Sequence, residues 1–186
     1  MLTPDEPTDA TGEEPDLDPA TSALAAALIE LDRHCQAEGW DVPPRLFALV
    51  PTEEILRDSP EVAQEFGITE SVPGAWTAIE QTDFVTDDVL ESLQQVQWPE
   101  AVKGCALALE RSFLPAAAEE DLPEDPEQAQ AFVENHPDRQ DLRLVVGVTR
   151  AGAAYGVGRL SSSPEDLLGG PELAPGLTSL LATTLA

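Results

Sequence analysis

The sequence predicts an α+β domain: a mostly antiparallel sheet of about five strands with helices packed against it. Three observations carry that expectation. Leucines recur at three- and four-residue steps near both ends of the chain, which is the period of an amphipathic helix. Between those ends lie short apolar runs that read as strands, singly and once as a hairpin. The regular strand–helix–strand alternation of a doubly wound parallel sheet is missing.

Composition sets the scale. A chain of 186 residues suits one domain, large enough to bury roughly 70% of the surface its unfolded form exposes. Its charge is unusual: 36 acids against 9 bases and a net charge of −27. Such a field repels phosphate backbones and anionic lipid surfaces, so neither nucleic acid nor membrane is an expected partner, whereas a basic protein is. There is no basic segment followed by an apolar leader, and no run long and apolar enough to span a bilayer. A cytoplasmic protein is therefore expected. Cys35 and Cys105 stand in no metal-binding or redox spacing and read as buried thiols.

Residues 1–19, MLTPDEPTDATGEEPDLDP, contain seven acids, four prolines and no base. Too little apolar surface is present to offset the entropy of ordering such a segment, so a disordered acidic tail is expected, followed by one domain over 20–186.

A helix over 20–38 has Asp18 as N-cap, Pro19 at its first position and a stripe of Leu24, Leu28, Leu31 and Cys35. Gly39 suits the left-handed residue that ends it, with Trp40 folding back on the last turn. RLFALV (45–50) is apolar at every position after Arg45, as in a strand covered on both faces. Two short helices follow, opened at Thr52 and at Ser59-Pro60-Glu61. A strand is expected within 73–84, and then a helix capped by Thr86 that carries Val89, Leu90, Leu93 and Val96.

The stretch AVKGCALALERSFL (101–114) alternates. Cys105, Leu107, Leu109, Arg111 and Phe113 share one face; Gly104, Ala106 and Ala108 share the other. A strand is favoured, with its small-residue face open to a close-packed helix, although the Ala and Leu content also suits a helix. The acidic loop 119–128 leads into a helix with Asp125 as N-cap, Pro126 at N1 and Gln128 at N3. LRLVVGVTR (142–150) and AAYGVGRL (153–160) form a hairpin turning at Ala151-Gly152. Ser163-Pro164-Glu165 is expected to cap a short turn of helix, and Leu177, Leu180, Leu181 and Leu185 mark the last helix.

The best polar cluster is HPDRQD (136–141). A functional reading makes His136 a base or ligand, Asp138 or Asp141 its orienting carboxylate, and Arg139 or Arg143 an anion clamp. The structural reading treats the same residues as the polar hinge that delivers the chain into a core strand. The hinge is favoured, because no nucleophile, second base or metal ligand stands at a diagnostic spacing. His34 beside Cys35 is not a catalytic pair, since adjacent helical residues point to different faces. GVG (156–158) lacks the third glycine of a dinucleotide fingerprint. No catalytic residue, cofactor or metal is expected. Trp40, Trp76 and Trp98 lie at element ends, where they plug the rim of the core or line a groove for a partner.

The segments WDVPPRLFALVPTEEIL, VQWPEAVKGCALALERSFLP, HPDRQDLRLVVGVTR and LLGGPELAPGLTSLLATTL together resemble an actinobacterial family of conserved hypothetical proteins. The similarity covers residues 20–186. It implies an intracellular bacterial protein and, because the family has no assigned activity, supplies no catalytic residues. The order of elements is also similar to that of small acidic secretion chaperones.

The functional expectation is a non-enzymatic, chaperone-like adaptor that offers a sheet edge to a partner, with hairpin 142–160 as that edge. The alternatives are a small-ligand binder or enzyme using the 136–143 loop beside Trp40 and Arg45, and an acidic mimic of nucleic acid. Candidate binding residues are Trp40, Arg45, His136, Arg139, Asp141 and Arg143.

Overall fold

A computed structural model describes residues 16–186, so most of the expected acidic tail lies outside the described residues. Helix α1 (Pro19–Glu38) begins as its sequence requires: Asp18 Oδ1 accepts from the amides of Ala20 and Thr21 at 3.0 and 3.2 Å, ahead of Pro19. It ends at Gly39, whose φ of 93° is one that side chains disfavour. The chain continues through β1 (Arg45–Pro51), α2 (Thr52–Asp58), α3 (Pro60–Glu65), β2 (Trp76–Glu80) and α4 (Val89–Leu93). Next come β3 (Gly104–Phe113), α5 (Ala116–Glu119), α6 (Pro126–Asn135), β4 (Gln140–Thr149), β5 (Ala154–Leu160), β6 (Ser163–Gly170) and α7 (Pro175–Thr184).

Among the described residues the strands form a single sheet of six, all antiparallel, in the order β2-β1-β3-β4-β5-β6. Strand alternation sorts two cores onto its two faces. On one face Leu24, Leu28, Leu31 and Cys35 of α1 pack on Phe47, Leu49, Ala106, Ala108, Val145 and Val157. On the other, Leu181 and Leu185 join Leu93, Leu46, Cys105, Leu107, Leu109 and Val146. Leu24 and Leu28 are fully buried, and each contributes about 1.5–3 kcal/mol by leaving water. The small residues of β3 do let α1 approach closely, and β4 repeats the device. A Cβ on Gly147 would stand 2.8 Å from Leu28 Cδ2.

Residues 104–113 are strand, which settles the ambiguity of that stretch in favour of its period-two alternation. Three expectations are corrected. Ser163–Gly170 pairs with β5 as a strand where a turn of helix was expected. Pro164 fits a strand there since β6 lies at the sheet's edge. Hairpin β4–β5 is consequently interior, and β2 and β6 are the edges. The cap of α4 is Asp88, whose Oδ1 accepts from the Glu91 amide at 3.0 Å; Thr86 instead binds the Asp88 amide, one turn earlier.

Candidate functional site

Two of the candidate arginines stand under the C-terminal end of α1, on the α1 face of the sheet. Arg143 is 2% exposed, and its Nη2 donates to Glu110 Oε1 at 3.0 Å and to the Gly39 carbonyl. The strand register pairs Glu110 with Arg143 directly, so the ion pair is a consequence of β3–β4 alignment. Trp40 folds back as its sequence position suggests, and the Arg143 guanidinium lies 4.4 Å from its ring centroid. The second Glu110 oxygen accepts from the Asp41 amide at 2.8 Å, fixing the turn in which Asp41 takes a φ of 64°.

Arg45 opens β1 nearby. It makes a two-pronged contact with Glu80, at 2.8 and 2.7 Å, and reaches Glu38 at 2.6 Å and His34 Nε2 at 3.1 Å. Those hydrogen bonds hold the Glu80 carboxyl below the usual range. Cys35 Sγ accepts from Arg45 Nη1 at 3.8 Å and lines the same hollow as Arg143. Burial pushes its thiol up, against the opposing pull of Arg45 and Arg143.

The hollow lined by Cys35, Val42, Pro43, Arg45, Glu110 and Arg143 measures about 10 Å³, room for about one water molecule.

The remaining candidates sit elsewhere: His136 and Arg139 in the turn between α6 and β4, and Asp141 at the start of β4. His136 packs on Phe132 with ring centroids 5.2 Å apart, and its Nδ1 accepts from the Asp138 amide at 3.1 Å. Arg139 pairs with Asp141 at 2.9 Å and donates to the Glu134 carbonyl. Asp141 also accepts from Ser112 at 2.6 Å, across the β3–β4 ladder. Arg139, Asp141 and His136 Nδ1 are thus engaged with α6, the turn itself or the adjoining strand. None of the three lines the hollow beside Arg45 and Arg143.

One buried pair was absent from the candidates. Asp32, fully buried on α1, accepts from Arg159 Nε at 3.0 Å and Nη2 at 2.6 Å. Arg159 in turn holds the Pro164 carbonyl of β6 and lies opposite Arg143 in the β4–β5 register. The signal was present: Tyr155, Val157 and Arg159 share one face of a strand whose other face is glycine, so an inward arginine needed a buried partner.

A trough runs between α1 and the sheet's first edge. Ala23, Ala26, Ala27 and Glu30 of α1 face Val72, Gly74 and Trp76 across a hollow of about 190 Å³. A second, of about 280 Å³, continues past Trp76 to Ala78. Beyond it Glu38, Pro43, Glu80, Phe84 and Val85 line a third of about 350 Å³.

The fold and these sites together define a small acidic α+β protein with a mixed ionic and aromatic cluster under one helix. Among the described residues no group of three or more metal-ligating side chains assembles, and no helix is long and apolar enough to cross a membrane. A family model described as PPA1309-like protein matches residues 24–186, and the chain belongs to that family. Neither a curated protein nor a solved structure matches it.

Proposed function

We propose that the chain is a protein-interaction module: a chaperone-like adaptor, working in the cytoplasm, that holds a partner and performs no bond chemistry on it. The observation that carries this reading is the pair of sheet edges. Among the described residues, β2 and β6 each pair on one side only. Exposed apolar side chains accompany both: Val72 and Val85 flank β2 at 70% and 87% exposure, and Leu167 and Leu168 lie on β6. An unpaired strand presents a row of amides and carbonyls ready for another chain, and exposed apolar residues beside it add contact area. The disposition of the arginines agrees. Arg45, Arg143 and Arg159 are held by neighbouring acids, and Arg150 by backbone carbonyls, which leaves these four with structural work. A net charge of −27 favours a basic partner.

Chemical crosslinking of the tagged full-length protein in its native cells tests the reading. A stoichiometric partner whose crosslinks map to residues beside β2 or β6 supports it. Recovery of the protein alone, or crosslinks confined to the α6–β4 turn, would overturn it.

A further inference from the structure

Resting on the interaction-module reading, the geometry points to one edge and one kind of ligand: β2, with the trough between it and α1, takes an extended, lysine- or arginine-bearing segment of a partner protein as a seventh strand.

Backbone parity decides which groups are free. The Gln81 amide donates to the Leu46 carbonyl at 2.8 Å, and the Thr52 amide to the Ala75 carbonyl at 2.9 Å. With the β1–β2 register of Phe47 opposite Glu80, Thr77 and Ile79 turn their amides and carbonyls toward β1, flanked by the Ala75 carbonyl and the Gln81 amide. Trp76, Ala78 and Glu80 therefore turn theirs away from the sheet, and among the described residues these groups have no hydrogen-bond partner. They form a ladder about three rungs long, the number an added strand of five or six residues would use.

Side-chain chemistry selects the occupant. Trp76 and Ala78 lie on the α1 face, so the trough opens along the same side as the free ladder. Small side chains at Ala23, Ala26 and Ala27 leave the hollows wide, and an added strand's alternate side chains point into them. Glu30 lines both hollows and makes no ion pair among the described residues. A long aliphatic stem ending in a cation suits that combination, its stem on Trp76 and its charge on Glu30. The wider field acts in the same sense and disfavours two other occupants, a second copy of this chain and its own acidic residues 1–15.

The test uses the full-length protein and a soluble peptide alternating lysine with threonine, with a glutamate–threonine peptide as its charge-reversed counterpart. Backbone amide exchange followed by NMR should slow at least tenfold at Trp76, Ala78 and Glu80 on addition of the lysine peptide. Thr77 and Ile79, already bonded to β1, should change little. Ala78→Pro removes an amide that serves no ladder bond, so the fold should persist while peptide affinity falls at least tenfold. Glu30→Lys should weaken binding by about tenfold and flatten its salt dependence. Leu167→Pro, on the opposite edge, should leave binding unchanged. If Ala78→Pro fails to fold, the amide protection pattern of the unaltered protein still decides the matter.

Equal binding of the glutamate peptide would overturn the inference, as would protection confined to β6. The interaction-module reading survives both outcomes, because it stands on the crosslinked partner in cells. Two results would assign the trough to this chain's own segments and also overturn the inference: peptide binding that appears only when the protein begins at Asp16, or a dimer abolished by Ala78→Pro.

Discussion

Asp32 of α1 and Arg159 of β5 stand 127 positions apart, and two guanidinium nitrogens meet one carboxylate oxygen at 3.0 and 2.6 Å, with both residues buried. Two buried charges hold each other in place, and removing either strands the other. Asp32→Ala should destabilise the fold by about 3–5 kcal/mol. The double variant Asp32→Leu, Arg159→Met should recover most of that loss, because no charge is then left unpaired. Urea unfolding of the two variants measures both values; equal losses would show that the pair does not act as a unit.

At Gly147 the backbone of β4 lies close under α1. An added Cβ meets Leu28 Cδ2 at 2.8 Å and Leu24 Cδ1 at 3.3 Å, both on fully buried side chains. Gly147→Ala should therefore cost about 1–3 kcal/mol by overpacking. Trimming the neighbour as well, in Gly147→Ala with Leu28→Val, should cost less than the sum of the two single changes. Thermal unfolding of the set reads the coupling.

Arg150, just past β4, fastens the C-terminal residues. It donates to the Val102 carbonyl at 2.9 Å, the Trp98 carbonyl at 3.1 Å and the Leu185 carbonyl. Trp98 Nε1 meets Thr184 Oγ1 at 2.9 Å beside it. Arg150→Ala should accelerate hydrogen exchange in the last turn of α7 by about tenfold or more, with little change in α1. Uniform acceleration across both helices would mean that the contact serves the whole fold and not this helix.

Cys105 is fully buried, and burial raises its thiol from 9.0 to about 11. The folded chain thus holds this proton more tightly than the unfolded chain does. Its contribution is intact below pH 9, declines as pH rises, and is lost through about 11, for a total of about 2–3 kcal/mol. Cys105→Ala should remove that part of the alkaline loss in unfolding curves taken across this range. Maleimide should also modify neither Cys105 nor Cys35 in native protein at neutral pH, and both once denaturant is added.

Much of the fold was written in local chemistry. Asp18-Pro19 and Gly39 bracket α1, and the alternation from Gly104 to Phe113 separates a leucine face from an alanine face that matches the two observed cores. Ser163-Pro164-Glu165 misled because a helix-opening triplet and an edge strand tolerate the same residues; only pairing with β5 tells them apart. Strand order was illegible for a related reason. Nothing local records that β3 lies between β1 and β4, so the edges could not be assigned to β2 and β6. The expectation that the 136–143 loop converges with Trp40 and Arg45 holds for Arg143 alone. The fold gathers Trp40, Arg45 and Arg143 beneath α1 and leaves His136, Arg139 and Asp141 at the turn into β4, a division set by strand register and helix position.

The order of strands has a mechanical consequence. β1 and β2 make one two-stranded piece and β3 to β6 a four-stranded meander, stitched together along the single β1–β3 seam. Helix α1 crosses that seam as a strap, touching β2 on one side and β4 and β5 on the other. Separating the two pieces would therefore require that strap to lift first.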